Sequence, residues 1–145
     1  MPLAMVFLLR LVGRIRSILL KDKEDRNLPY LITAAFYLFD FYLSKNSGAP
    51  ALITAYLLAG SCVLVMILFI NQFSKISIHA ASMGSLGGII YCAGPATTLD
   101  IRYLLLVYCI MCGLVLAGRL FLEAHTHLQL YSGFVLGLAI MIFIL

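Results

Sequence analysis

The chain alternates long apolar stretches with short polar breaks, and the length of the apolar stretches predicts helices. Residues 28–44, 50–70, 78–93, 101–118 and 129–145 run almost without charge. A helix rising about 1.5 Å per residue needs about 20 such residues to cross a hydrocarbon core of about 30 Å. Nothing in the chain alternates with the two-residue period of a half-buried strand, and no internal repeat is evident. Residues 1–20 are apolar but carry Arg10, Arg14 and Arg16, the first two on one helical face. That pattern predicts a helix with a charged stripe that either spans or lies in the interface, and it lacks the small-residue cleavage site of a signal peptide. The expected fold is therefore all-α. It is a polytopic transmembrane helix bundle in a single membrane domain, 1–145, with five spans plus the N-terminal helix.

The breaks refine the picture. Residues 21–27, Lys-Asp-Lys-Glu-Asp-Arg-Asn, form the one dense charge cluster and read as a loop, with Pro29 at the opening of the next helix, where its missing N–H costs nothing. Asp40 is expected in the last turn of that helix. Lys45-Asn46-Ser47-Gly48 reads as a turn before Pro50, residues 71–77 as a loop, Gly94-Pro95 as a stop, and Arg119 to Gln129 as a junction. The span 78–93 differs from its neighbours in being rich in small residues. Ala80, Gly84 and Gly88 recur every four positions, as do Gly133 and Gly137 in the last span. Such spacing lets helix backbones approach closely in lipid, which makes the 78–93 helix central.

Composition agrees. The chain of 145 residues is 63% hydrophobic and 11% charged, and its mean hydropathy is +1.08. That leaves too little polar surface for a water-soluble globule. The net charge of +4 points to loop topology and anionic headgroups; no basic tract interleaved with aromatics suggests nucleic acid. Cys62, Cys92, Cys109 and Cys112 lie in apolar stretches without flanking ligand sets and read as small buried hydrophobes. Without Trp, the interfacial belt falls to Tyr residues such as Tyr30, Tyr42, Tyr103 and Tyr131.

Each span carries the chain to the other face, so the breaks at 21–27, 71–77 and 119–127 share one face. Arg26, Lys75, His79, Arg119, His125 and His127 are thereby gathered there, against Lys45, Asp100 and Arg102 on the opposite side. Loop topology accounts for Lys and Arg, which accumulate in cytoplasmic loops, but not for three of three His. Arg holds phosphate oxygens in a planar fork, and His acts as nucleophile, general acid or general base near neutral pH. The alternative reading of these residues is ordinary juxtamembrane polarity.

The segments Lys75-Ile76-Ser77-Ile78-His79-Ala80-Ala81 and Gly118-Arg119, then His125 six positions after the Arg, resemble two motifs of the type-2 phosphatidic acid phosphatase superfamily, in a divergent bacterial membrane branch. The resemblance spans roughly residues 20–145. The family pattern has Ser where Gly118 stands, Asp where Gln129 stands, and Pro-Ser-Gly-His where Ile-Ser-Ile-His stands, and its first motif is matched here by Arg26 and Pro29 alone. The resemblance implies a phosphatase of the bacterial inner membrane acting on a lipid phosphate or isoprenoid pyrophosphate. His125 would attack phosphorus to form a phosphohistidine, and His79 would protonate the leaving alkoxide. Arg119, Lys75 and Arg26 would hold the phosphate oxygens, Gln129 would orient His125, and neither metal nor other cofactor would be needed. Three alternatives stay open: a catalytically impaired member that binds lipid phosphate, a structural membrane subunit, and haem held between two His.

Overall fold

The computed structural model describes residues 23–94 and 100–145, with side chains from residue 27 onward. The expected helix at 1–20 lies outside the described residues. Five helices follow in order: α1 Lys23–Asn46, α2 Ala51–Phe73, α3 Ile78–Ala93, α4 Arg102–Phe121 and α5 His127–Ile144. No strand occurs among the described residues. α2, α4 and α5 are each long and apolar enough to cross a membrane. α3 is apolar but has 16 residues, about 24 Å of helix. α1 has 24 residues, but Asp40, Lys45 and three Tyr dilute its hydropathy, and it falls outside that group.

α1 and α2 run on through Lys45-Asn46 of the expected turn and residues 71–73 of the expected loop, and two further differences from the sequence reading bear on the site. The charge cluster at 21–27 is not a loop throughout, because residues 23–27 are already helical. Lys, Glu and Arg are good helix formers, and their charge does not oppose a helix that is solvated at its end. Pro29 consequently lies inside α1 rather than at its opening, and Asp40 lies six residues before its end instead of in the last turn. Pro29 removes one backbone donor. Its own carbonyl accepts from the Thr33 hydroxyl at 2.7 Å. The second difference is that Arg119 belongs to the last turn of α4 and His127 to the first turn of α5, so the junction shrinks to residues 122–126.

α3 and α5 make the closest packing in the molecule. They run parallel: Gly133 of α5 lies against Ser77, Ala80 and Ala81, Gly137 against Ala81 and Ser85, and Met141 against Gly88. The approach is backbone to backbone. A Cβ added at Gly84 would collide with the Phe134 carbonyl oxygen, one at Gly137 with the Ala81 carbonyl oxygen, and one at Gly133 would stand 2.7 Å from the Ser77 carbonyl oxygen. The small residues read from the sequence thus form one face of α3 and one of α5, and Ala80, Ala81, Gly84 and Gly88 are all buried.

α1 and α2 form an antiparallel hairpin closed by Ser47-Gly48, where Gly48 has φ +71° and supplies the left-handed residue of the turn. The Tyr37 ring packs against Gly60, and its hydroxyl is 3.4 Å from that of Tyr56. At the other end Asn71, almost fully buried, donates to the Asn27 side chain at 2.9 Å. The hairpin docks on α5 and α3 through Tyr30, Val63, Ile67, Ile76 and Ala81, with Leu136 and Ile140 packed alongside. α4 is the outlier: none of its residues is buried. It is fastened to α3 by the Tyr108 hydroxyl, which donates to the Met83 carbonyl at 3.0 Å and rests over Gly87.

Candidate functional site

The chain order sets where the polar groups meet. α3 and α5 begin, and α2 and α4 end, at one end of the bundle, and hydrogen bonds join these termini directly. The Ser77 N–H donates to the Gln129 carbonyl at 3.3 Å, tying the start of α3 to the first turn of α5. Ser77 also caps α3, its hydroxyl accepting from the Ala80 N–H at 3.3 Å. Of the Ile-Ser-Ile-His segment, the Ser is therefore wholly buried and structural, whereas His79, in the first turn of α3, is exposed.

His79 meets Arg119 across the α3–α4 seam: the guanidinium hydrogen-bonds the ring Nε2. Arg can only donate, so the pairing requires a lone pair on Nε2 and places the ring proton on Nδ1. His79 is neutral in this arrangement.

The second pair is fixed by the local fold of the junction. α4 ends at Phe121 with Leu122 as its C-cap, after which Glu123 takes a left-handed conformation, φ 49°, with its N–H donating to the Leu120 carbonyl at 2.9 Å. The Ala124 N–H reaches back to the Arg119 carbonyl at 3.1 Å. This is the hydrogen-bond pattern of a Schellman stop, here with Glu in the place usually taken by Gly. The turn ends at Thr126, which caps α5 in a capping box: the Thr126 hydroxyl accepts from the Gln129 N–H at 3.4 Å, and Gln129 Oε1 accepts from the Thr126 N–H at 3.2 Å.

The same Oε1 lies 3.2 Å from Nδ1 of His125, the half-buried residue just before the cap. Because a backbone N–H already fixes which end of the amide faces this way, the His125 contact is to an oxygen, which cannot donate. Nδ1 must therefore carry a proton. Gln129 and His125, four residues apart, are thus in hydrogen-bond contact, and Glu123 is exposed in the turn. Thr126 was missed in the sequence, although Thr-x-x-Gln ahead of an apolar run is the signature of a capping box.

The remaining candidates are less engaged. Lys75 lies exposed in the link between α2 and α3, four residues before His79. Arg26 falls in the first described turn of α1, and the surroundings of its side chain lie outside the described residues. His127 stacks on Tyr131 at 6.3 Å between ring centres. At the opposite end, Arg102 is held by Asp100 at 3.0 Å, and this pairing keeps the Asp100 carboxyl below its ordinary range. His, Cys, Asp and Glu side chains do not gather in threes among the described residues, so no candidate metal centre is found there.

Comparison with known proteins adds no relative: no family model, no curated protein and no solved structure matches the chain.

Proposed function

We propose that the chain is an integral membrane phosphatase resembling the type-2 phosphatidic acid phosphatases, hydrolysing a lipid phosphate or an isoprenoid pyrophosphate in a bacterial inner membrane. In this reading α1 to α5 all cross the bilayer and residues 1–20 add a helix. The observation that carries it is the meeting of Arg119 with His79 at the end of the bundle where Gln129, bonded through its carbonyl to Ser77, holds Nδ1 of His125. Two imidazoles and a guanidinium gathered at one end of the bundle suit phosphoryl transfer. His125 Nε2 attacks phosphorus in line, the alkoxide leaves with a proton from His79, and water hydrolyses the phosphohistidine. Arg119 neutralises the non-bridging oxygens, with Lys75 and Arg26 as further cations. An apolar cleft of about 690 Å³, lined by Tyr91, Leu105, Tyr108, Phe134 and Leu138, opens between the second half of α3, the first half of α4 and the middle of α5, in the part of the bundle away from His79 and Arg119.

The test is phosphate release from a panel of lipid phosphates and pyrophosphates by full-length protein in nanodiscs, with acid-labile phosphohistidine trapped on His125. Release that His125→Ala abolishes supports the reading. Release that persists in His125→Ala refutes the mechanism. A second reading, a lipid-phosphate binder without turnover, draws on one feature: Gln129 orients His125 but offers no negative charge to stabilise the imidazolium formed during transfer. It predicts saturable anion binding with no phosphate released.

A further inference from the structure

In the proposed mechanism His79 must hand a proton to the leaving oxygen, yet in the structure its Nε2 accepts from Arg119 and bears none. The same guanidinium is the group best suited to grip the phosphate. Both tasks draw on one set of N–H donors, and they compete.

We infer that anion binding loads His79 with its proton. The inference rests on the proposed anion site and specifies how that site is armed. An oxyanion offers Arg119 a two-point contact between opposite charges, in place of a single bond to a neutral imidazole nitrogen. As Arg119 turns to the anion, Nε2 of His79 loses its donor and gains an anionic oxygen as neighbour, an exchange that favours protonation at Nε2. The proton comes from solvent, and Arg119 stays charged throughout. The new Nε2–H points to the bound anion, so the general acid is charged only when there is a leaving group to receive its proton. Without anion, the Arg119–His79 contact keeps the site unarmed.

Other charged and titratable groups share this end of the bundle, α1 bringing Lys23, Glu24, Asp25 and Arg26 at its start, and the His79→Gln variant separates them from His79. α2 ends in Ile70-Asn71-Gln72-Phe73, without an ionisable side chain. The link to α3 carries Lys75, a cation that favours the anion but opposes a charge on His79. α4 brings Arg119 and, just past its end, Glu123. α5 brings His127 and the preceding His125, whose Nδ1 is engaged by Gln129.

Inorganic sulfate is the probe, because it stays a dianion throughout the neutral range and any proton taken up on binding belongs to the protein. Full-length protein in detergent is titrated with sulfate calorimetrically near pH 7, in two buffers of different ionisation enthalpy. The expected result is uptake approaching one proton per sulfate bound, with an affinity that rises by up to about tenfold for each pH unit lowered. In His79→Gln, sulfate should still bind with no uptake and a flat pH profile. In Arg119→Ala both binding and uptake should disappear. Sulfate binding that depends on Arg119 but takes up no proton overturns the inference and leaves the anion site standing. Uptake that survives His79→Gln also overturns it. If neither sulfate nor phosphate binds the folded protein, the anion site and the inference fall together.

Discussion

Replacing Gly84 by Ala is the sharpest test of how the bundle is held. A Cβ there would collide with the Phe134 carbonyl oxygen and stand 2.8 Å from the carbonyl carbon and 3.0 Å from the Leu138 nitrogen. All three are backbone atoms, so no rotamer change relieves the overlap, and α5 must move away. Ordinary carbon–oxygen contacts are about 3.3–3.6 Å, so the shift required is on the order of 1 Å along a seam of backbone packing. Overpacking of this kind costs about 1–3 kcal/mol, whereas Gly→Ala in a helix stabilises by about 1 kcal/mol. Gly113→Ala separates the two effects, since its Cβ would meet nothing within 4 Å. We expect Gly113→Ala to be neutral or stabilising, and Gly84→Ala to lie about 1–3 kcal/mol below it, since both variants share the propensity gain and only Gly84→Ala carries the overlap. Reversible unfolding in mixed micelles, followed by far-UV circular dichroism, measures the difference. Equal stabilities for the two variants would mean that α3 and α5 do not touch through Gly84 and that the parallel register described above is wrong.

Further predictions concern the site and its junction. Glu123→Gly should stabilise the protein by about 1 kcal/mol, because Gly takes the left-handed conformation without the Cβ penalty; a loss of stability in the same unfolding assay would contradict the Schellman geometry. Arg119→Lys should weaken sulfate or vanadate binding more than Arg102→Lys does, since Lys keeps the charge but not the fork, and Arg102 is committed to Asp100 at the far end; equal effects would make Arg119 a topology charge only. If turnover is found, Gln129→Glu should raise kcat by about tenfold. Glu keeps the length that reaches Thr126 and His125 while adding charge, and the tautomer is already correct, so the gain stays well below the ~10⁴ seen where an amide also imposes the wrong tautomer. A fall in kcat in well-folded Gln129→Glu would remove the orienting role.

Much of this was legible in the sequence, for identifiable reasons. The bounds of α3 follow from a polar stretch before Ile78 and Gly94 after Ala93, and its central position from glycines at four-residue spacing. The His125–Gln129 pair follows from spacing alone, although His125 precedes the helix and Gln129 reaches it from the third helical position, bent back by the capping box. The start of α1 was misread because a dense charge cluster resembles a loop, while the same residues are sound helix formers. Glu123 gave no signal at all: a left-handed stop is announced by Gly or Asn, and here the surrounding hydrogen bonds impose it on Glu. The tie of Asn71 to Asn27 was equally hidden, since it joins residues 44 positions apart whose types carry no pairing rule.

The uneven embedding of the helices gives the site one stiff wall and one compliant wall. His79 and the cap that sets His125 belong to α3 and α5, whose backbones are interlocked through Gly84, Gly133 and Gly137, so their separation is part of the frame. Arg119 arrives on α4, which buries nothing and leans on α3 through Tyr108. A push on the outer surface of α4, from lipid or from a neighbouring protein, is therefore felt first as a change in the span between guanidinium and imidazole, while the two histidines keep their places.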